Sequence, residues 1–130
     1  MTIVIPFNDA LGLKVERFEG GTAVMRLPYR DDLSEGGGAL AVEALIALAD
    51  ATCGAAVFST LEERGAVATV DLRYDALASP PVGDDVCATA HCEAPSDGVV
   101  RVLCDVTAPS GEALGRAIAT FVRDAPGRLT

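Results

Sequence analysis

The stretch GGGALAVEALIALADATCGAAVF, residues 36–58, is almost wholly apolar, yet it holds two carboxylates, Glu43 and Asp50, and no basic residue. From about Ala41 to Phe58 alanine and leucine dominate and no proline interrupts, which predicts one long helix. Gly54 weakens that helix near its end, for close packing or for a turn. Apolar residues cover nearly every side of the cylinder. Such a helix belongs inside a structure, not on its surface.

On either side of the helix the pattern changes to strands. LKVERFE (13–19) and TAVMRL (22–27) flank Gly20-Gly21, a pair suited to a tight hairpin turn. Residues 28–40 read as a loop ending in Gly36-Gly37-Gly38. In AVATVDLRYD (66–75), Ala66, Ala68, Val70, Leu72 and Tyr74 alternate with Val67, Thr69, Asp71, Arg73 and Asp75, which predicts a strand with two distinct faces. Pro80, Pro81 and Gly83 end it. Further strands are expected at 84–94, at 98–108 after the turn APSDG, and at 113–123 after PSGE. The last also fits a helical spacing, but Ile118, Thr120 and Val122 alternate with Ala117, Ala119 and Phe121, which favours a strand.

Two strands, one buried helix and four strands define an α+β architecture. A strongly curved antiparallel sheet is able to wrap the helix, and a second copy is the economical cover for the side left open and for any bare edge strand. The 130 residues fit one domain, 1–130. The formal charge of −9, from 19 acidic and 10 basic side chains, argues against a broad nucleic-acid surface. MTIVIPFNDALG has no basic flank before a long apolar run, and the longest apolar stretch is broken by charges. No secretory signal and no membrane span are therefore expected, with the cytoplasm as the default location. Cys53, Cys87, Cys92 and Cys104 form no close pair and the one histidine is His91, so no metal site is expected.

Glu43 and Asp50 are seven residues apart. They differ by only about 20 degrees around the helix axis and by about 10 Å along it. One face therefore carries both, too far apart to share a proton as a carboxylate dyad. Glu43 falls in the first turn, where the helix dipole favours a negative charge. Asp50 is in mid-helix, where a buried charge is costly unless hydrogen-bonded. It is either paired with an arginine or backbone donor across an oligomer interface, or it is a base or nucleophile in a water-poor cleft.

GALAVEALIALADATCGAA resembles the central helix of the hotdog-fold acyl-CoA thioesterases, particularly the phenylacetate-pathway type. Gly38 matches that family's first glycine, Leu48-Ala49-Asp50 its Leu-Ala-Asp, and Gly54-Ala55-Ala56 its small-residue tail. TVDLRYDALASPPVGDDVCATA (69–90) and SGEALGRAIATFV are similar to its later strands. The resemblance implies a hotdog fold, a homodimer with two sites at the interface, often a tetramer as a dimer of dimers, and an acyl-CoA substrate with no cofactor. It implies that Asp50 acts as general base or nucleophile, and that backbone N–H groups at the start of the facing helix polarise the thioester carbonyl.

The family's His-Gly-Gly falls on Ala41-Val42-Glu43. The amides of Val42 and Glu43 still donate, because such a site needs N–H groups and not a given side chain. What is lost is room beside them. The expected machinery is therefore Asp50 of one subunit, the 41–43 amides of the other, and Thr52 and Thr69 to orient water or thioester. Arg73, then Arg101 and Arg116, are the candidates for the coenzyme phosphates, with Gly38 at the helix start. The alternative is a protein that binds acyl-CoA or another apolar ligand without turnover, for which the altered 41–43 segment is the motive. An acyl-thioester hydratase needs a histidine near the helix, a place His91 does not match.

Overall fold

The computed structural model describes residues 10–61, 65–94 and 98–124. Most of the start that was read for a secretory signal, 1–9, and most of the turn read at 94–98 lie outside them. Strands β1 (Lys14–Glu19) and β2 (Thr22–Leu27) are followed by helix α1 (Val42–Phe58). Strands β3 (Ala66–Ala76), β4 (Val86–Cys92), β5 (Val99–Thr107) and β6 (Ala113–Asp124) come after it. The segment at 113–123 is thus a strand. All six strands join one antiparallel sheet in the order β1-β2-β4-β5-β6-β3, curved around the helix.

Gly20 and Gly21 close the β1–β2 hairpin with φ of 53° and 91°, a left-handed pair that side chains would strain. The stretch 28–40 is more ordered than a plain loop. Asp31–Leu33 make one 3-10 turn, and Ser34 bridges Leu40 in antiparallel fashion.

The core lies between the helix and the inner face of the sheet. On β5 the alternation is complete: Val100, Val102, Cys104 and Val106 are buried, while Val99, Arg101, Leu103 and Asp105 are exposed. Met25, Leu27, Val86 and Phe121 extend the inner face, and Leu45, Leu48, Cys53 and Val57 meet it from the helix. Fully burying a valine, leucine or methionine contributes about 1.5–3 kcal/mol, so this layer dominates stability.

Both ends of α1 are fixed by different means. At its C-terminus Ser59 Oγ accepts the Gly21 N–H at 2.9 Å and donates to the Ala56 carbonyl at 2.6 Å. Arg123 reaches the Thr60 hydroxyl at 2.7 Å, placing a cation where the helix dipole is negative. At the N-terminus Ala41 offers no capping side chain, and its carbonyl accepts from Ala44 and Leu45 at 3.0 and 3.2 Å.

Gly115 is demanded by its neighbour. The Tyr74 ring from the edge strand lies where a Cβ on Gly115 would stand, with Cε1 2.8 Å from that point. The Tyr74 hydroxyl is buried without a hydrogen-bond partner among the described residues, and burial raises its pKa. Gly115→Ala should lose about 1–3 kcal/mol of stability in urea denaturation through overpacking. Tyr74→Leu should recover most of that loss in the double variant. Tyr74→Phe alone should leave stability unchanged or raised, since an unpaired buried hydroxyl costs free energy.

Candidate active site

Eight of the helix residues are buried: Ala44, Leu45, Leu48, Ala49, Thr52, Cys53, Ala56 and Val57. The opposite face is open. It carries Val42 and Glu43 in the first turn, Ile46 one turn on, then half-buried Ala47 and Asp50; beyond them Gly54 faces the Phe121 ring and Phe58 packs beside Phe18 of β1. Both carboxylates are therefore on the side of the helix that the sheet does not cover. That side runs along the edge strand β3, whose own outer edge has no neighbour in the sheet.

Thr69 Oγ1 donates to Asp50 Oδ1 at 3.0 Å, tying the edge strand to the middle of the helix. This bond depends on a local irregularity. A strict two-residue alternation would put Thr69 on the face of Asp71 and Arg73. Instead the register between β3 and β6 shifts between Thr69 and Asp71, because Val70 is an extra, bulged residue, 61% exposed. Thr69 stands opposite Phe121, which is buried against the helix, whereas Asp71 stands opposite Thr120 and Arg73 opposite Ile118, on the outer face. After the bulge, Leu72 and Tyr74 resume the inner face. The expected alternation is thus corrected: Thr69 shares the side of Leu72 and Tyr74, not that of Asp71 and Arg73.

Thr52 is also corrected. It is fully buried, and its hydroxyl donates to the Leu48 carbonyl at 2.6 Å, one turn back on its own helix. It faces the core and cannot orient anything at Asp50. Cys53 lies in the same core, where its neighbour Cys104 and burial hold the thiol protonated.

The helix start presents the amides of Val42 and Glu43 beside exposed side chains. Gly38, with φ of 87°, accepts the Gly83 N–H at 2.8 Å through its carbonyl, so the loop before the helix is pinned to the loop after β3. A Cβ on Gly38 would meet Val82 at 3.0 Å. Arg73, Arg101 and Arg116 all point away from the helix, on the outer face of the sheet. Arg73 pairs with Asp75 at 3.3 Å and Arg116 with Asp105 at 3.1 Å, both pairs well exposed. Of the three, Arg73 is on the edge strand beside Asp50 and Thr69, Arg116 one strand further and Arg101 two. His91 is on the same outer face, its Nδ1 3.2 Å from the Thr22 hydroxyl. Among the described residues no group of three or more His, Cys, Asp or Glu is placed to hold a metal. No helix among them is long and apolar enough to cross a membrane.

No protein-family model and no curated protein sequence matches this chain. Solved structures do match it over nearly their whole length. A mutant of the phenylacetic acid degradation protein PaaI from Thermus thermophilus is 28% identical, with a TM-score of 0.82 over 92% of this chain and 100% of that one. A thioesterase family protein from Silicibacter pomeroyi is 25% identical, with a TM-score of 0.84 over 92% and 89%. The conserved protein PA5202 from Pseudomonas aeruginosa is 21% identical, with a TM-score of 0.86 over 93% and 95%. The chain is a hotdog-fold protein of thioesterase-like architecture.

If the Thr69–Asp50 bond is as strong as its length implies, the variants Asp50→Asn and Thr69→Val should not be additive. A double-mutant cycle in chemical denaturation should return a coupling of about 0.5–1.5 kcal/mol. A coupling near zero would mean that the bond is not kept in solution.

Proposed function

We propose that this protein hydrolyses acyl-CoA thioesters, with a small, medium or aromatic acyl group, at sites formed between two copies of the chain. The observation that carries this reading is Asp50. It is a half-buried carboxylate in mid-helix, bonded to one hydroxyl and facing the open strip beside an unpaired strand. A carboxylate held there by the core alone would have no reason to be an acid.

The homodimer follows from the same strip. β3 is 11 residues long and ends the sheet, with Val70 largely exposed, and long bare edges invite pairing. Pairing β3 with its symmetry copy would extend the sheet and bring the open helix faces together. The small side chain of Ala47 there permits close approach. The Val42 and Glu43 amides of one subunit would then meet Asp50 of the other.

In that arrangement Asp50 takes a proton from water as the oxygen attacks the thioester carbonyl. The C–S bond then breaks, and the departing coenzyme thiolate takes up that proton. In the direct route Asp50 attacks the carbonyl, the thiolate leaves, and water cleaves the resulting acyl anhydride. Thr69 fixes the carboxylate, and the two amides hold the oxyanion. Glu43 is exposed at the helix start, so its charge can be directed away from the forming oxyanion. The pantetheine arm would run along the subunit boundary past Gly38. The nucleotide end would cross the β3 edge, where Arg73 is the first cation it meets. Arg116 and Arg101 are further along the same face.

One observation favours a second reading, that of an acyl-CoA or apolar-ligand binding protein without turnover. Val42 and Glu43 put two side chains at the helix start, where the resembling enzymes have glycines. A single assay decides between them. Thiol release is followed with a panel of acyl-CoA thioesters, alongside thermal stability with each ligand. For the enzyme, Asp50→Asn should lower kcat by about 100-fold or more. Thr69→Val should lower it by about tenfold, the effect of one hydrogen bond, while His91→Ala should leave it unchanged. Ligand-dependent stabilisation without any thiol release would instead establish the binding role.

A further inference from the structure

We propose that Ile46 sets acyl-chain length in this protein, as a stop that limits the substrate to a short straight-chain acyl group. That role rests on the hydrolase site shared between two copies, with Asp50 of one facing the helix start of the other. It adds to that site a side chain and a narrower substrate class.

The starting observation is a row of side chains on the open face of α1. The helix buries Leu45, Leu48 and Val57 against the sheet, but leaves two large aliphatic groups out, Val42 at 42% exposure and Ile46 at 37%. These two are not scattered. Val42, Ile46 and Asp50 follow at intervals of four residues, so they line up along one ridge. Each step in the row is about 6 Å along the axis. An aliphatic row thus runs from the helix start and ends on the carboxylate.

Symmetry fixes where Ile46 falls. When the Val42 amide of one helix meets Asp50 of the other about a two-fold axis, the pairing is mirrored around a midpoint. Midway between positions 42 and 50 is position 46. Taking the Glu43 amide instead puts the midpoint between Ile46 and Ala47. Ile46 therefore stands at the axis against its own copy, and the small Ala47 leaves space beside the pair. Each site lies about 6 Å from the axis along the helix.

The thioester itself selects the direction. Its sulfur and its acyl carbon lie on opposite sides of the carbonyl carbon. With the pantetheine arm leaving outward past Gly38, the acyl group points inward along the row. Val42 gives it an apolar wall, and the two Ile46 side chains meet its end. Isoleucine in a helix is held to one χ1 rotamer, so the stop is stiff and does not swing aside. Each methylene buried before the stop should tighten binding by about fourfold, and any beyond it should be overpacked. The space of about 6 Å fits a butyryl to hexanoyl group.

The test is thermal stabilisation of Asp50→Asn by straight-chain acyl-CoA thioesters from acetyl to decanoyl. It is run on that variant alone and combined with Ile46→Ala, Ile46→Phe or Ile46→Val. Stabilisation should peak at butyryl or hexanoyl. Ile46→Ala should move the peak to chains longer by about two or three carbons and raise binding of octanoyl relative to butyryl by about tenfold or more. Ile46→Phe should move it down to acetyl, and Ile46→Val should leave it nearly in place. A residue that only helped two copies to pair would change every chain length alike. A peak that stays put in Ile46→Ala and Ile46→Phe, a profile without a peak, or no stabilisation by any thioester overturns the proposal. Thiol release by the native protein over the same panel reports on hydrolysis separately. A peak that moves with Ile46 in a protein that releases no thiol keeps Ile46 in this role and refutes the hydrolase. Release with an unmoved peak does the reverse.

Discussion

One extra residue in a strand decides where the mid-helix carboxylate finds its side-chain partner. Val70 bulges out of β3, and the residues before it turn through half a pleat relative to those after it. Without that shift Thr69 would face outward with Asp71, and Asp50 would sit in the helix without this partner. With it, the edge strand and the helix are joined by a 3.0 Å hydrogen bond at the open edge of the sheet. The bulge costs a ladder position and leaves a valine in water. Bulges of this kind are common on edge strands and beside binding sites, and β3 is an edge strand.

The rest of the molecule is arranged around one asymmetry. The inner face of the sheet presses on one side of the helix, and its last strand, β3, overhangs the side left open. Ala47 on that open side keeps it shallow. The helix N-terminus adds amides that no side chain caps, and the Gly38–Gly83 bond holds the adjacent loops in place. Carboxylate, hydroxyl and amides are thus set along one strip, although within a single chain the amides are two turns from the carboxylate, about 10 Å. A second copy in antiparallel register is what would bring the two ends into contact.

The element order and nearly every strand boundary were legible because period-two burial is strong in β4, β5 and β6, and because the helix is too apolar for a surface. Asp50 was legible for a related reason: aspartate in mid-helix among alanines and leucines conflicts with both propensity and burial. The bulge was not. Its residues, Thr69-Val70-Asp71, fit a perfect alternation, and only the opposing strand reveals the slip, since Phe121 and Thr120 are the residues that define inside and outside. Thr52 misled for the opposite reason. Its hydroxyl is satisfied by its own helix, a bond that no spacing rule separates from one made to a ligand. The arginines were named for their chemistry, and the register of β3, β5 and β6 sends all three to the far face.

Shared sites can be tested by mixing two inactive subunits. Asp50→Asn removes the carboxylate, and Val42→Pro removes one amide at the first helical position, where proline is well tolerated. Each variant alone should release little thiol from an acyl-CoA thioester. After unfolding and refolding as an equimolar mixture, random pairing makes half the dimers mixed, each with one intact site of two, and activity should return to roughly a quarter of the native value. A mixture no more active than its components would show that carboxylate and amides of different chains do not form one site.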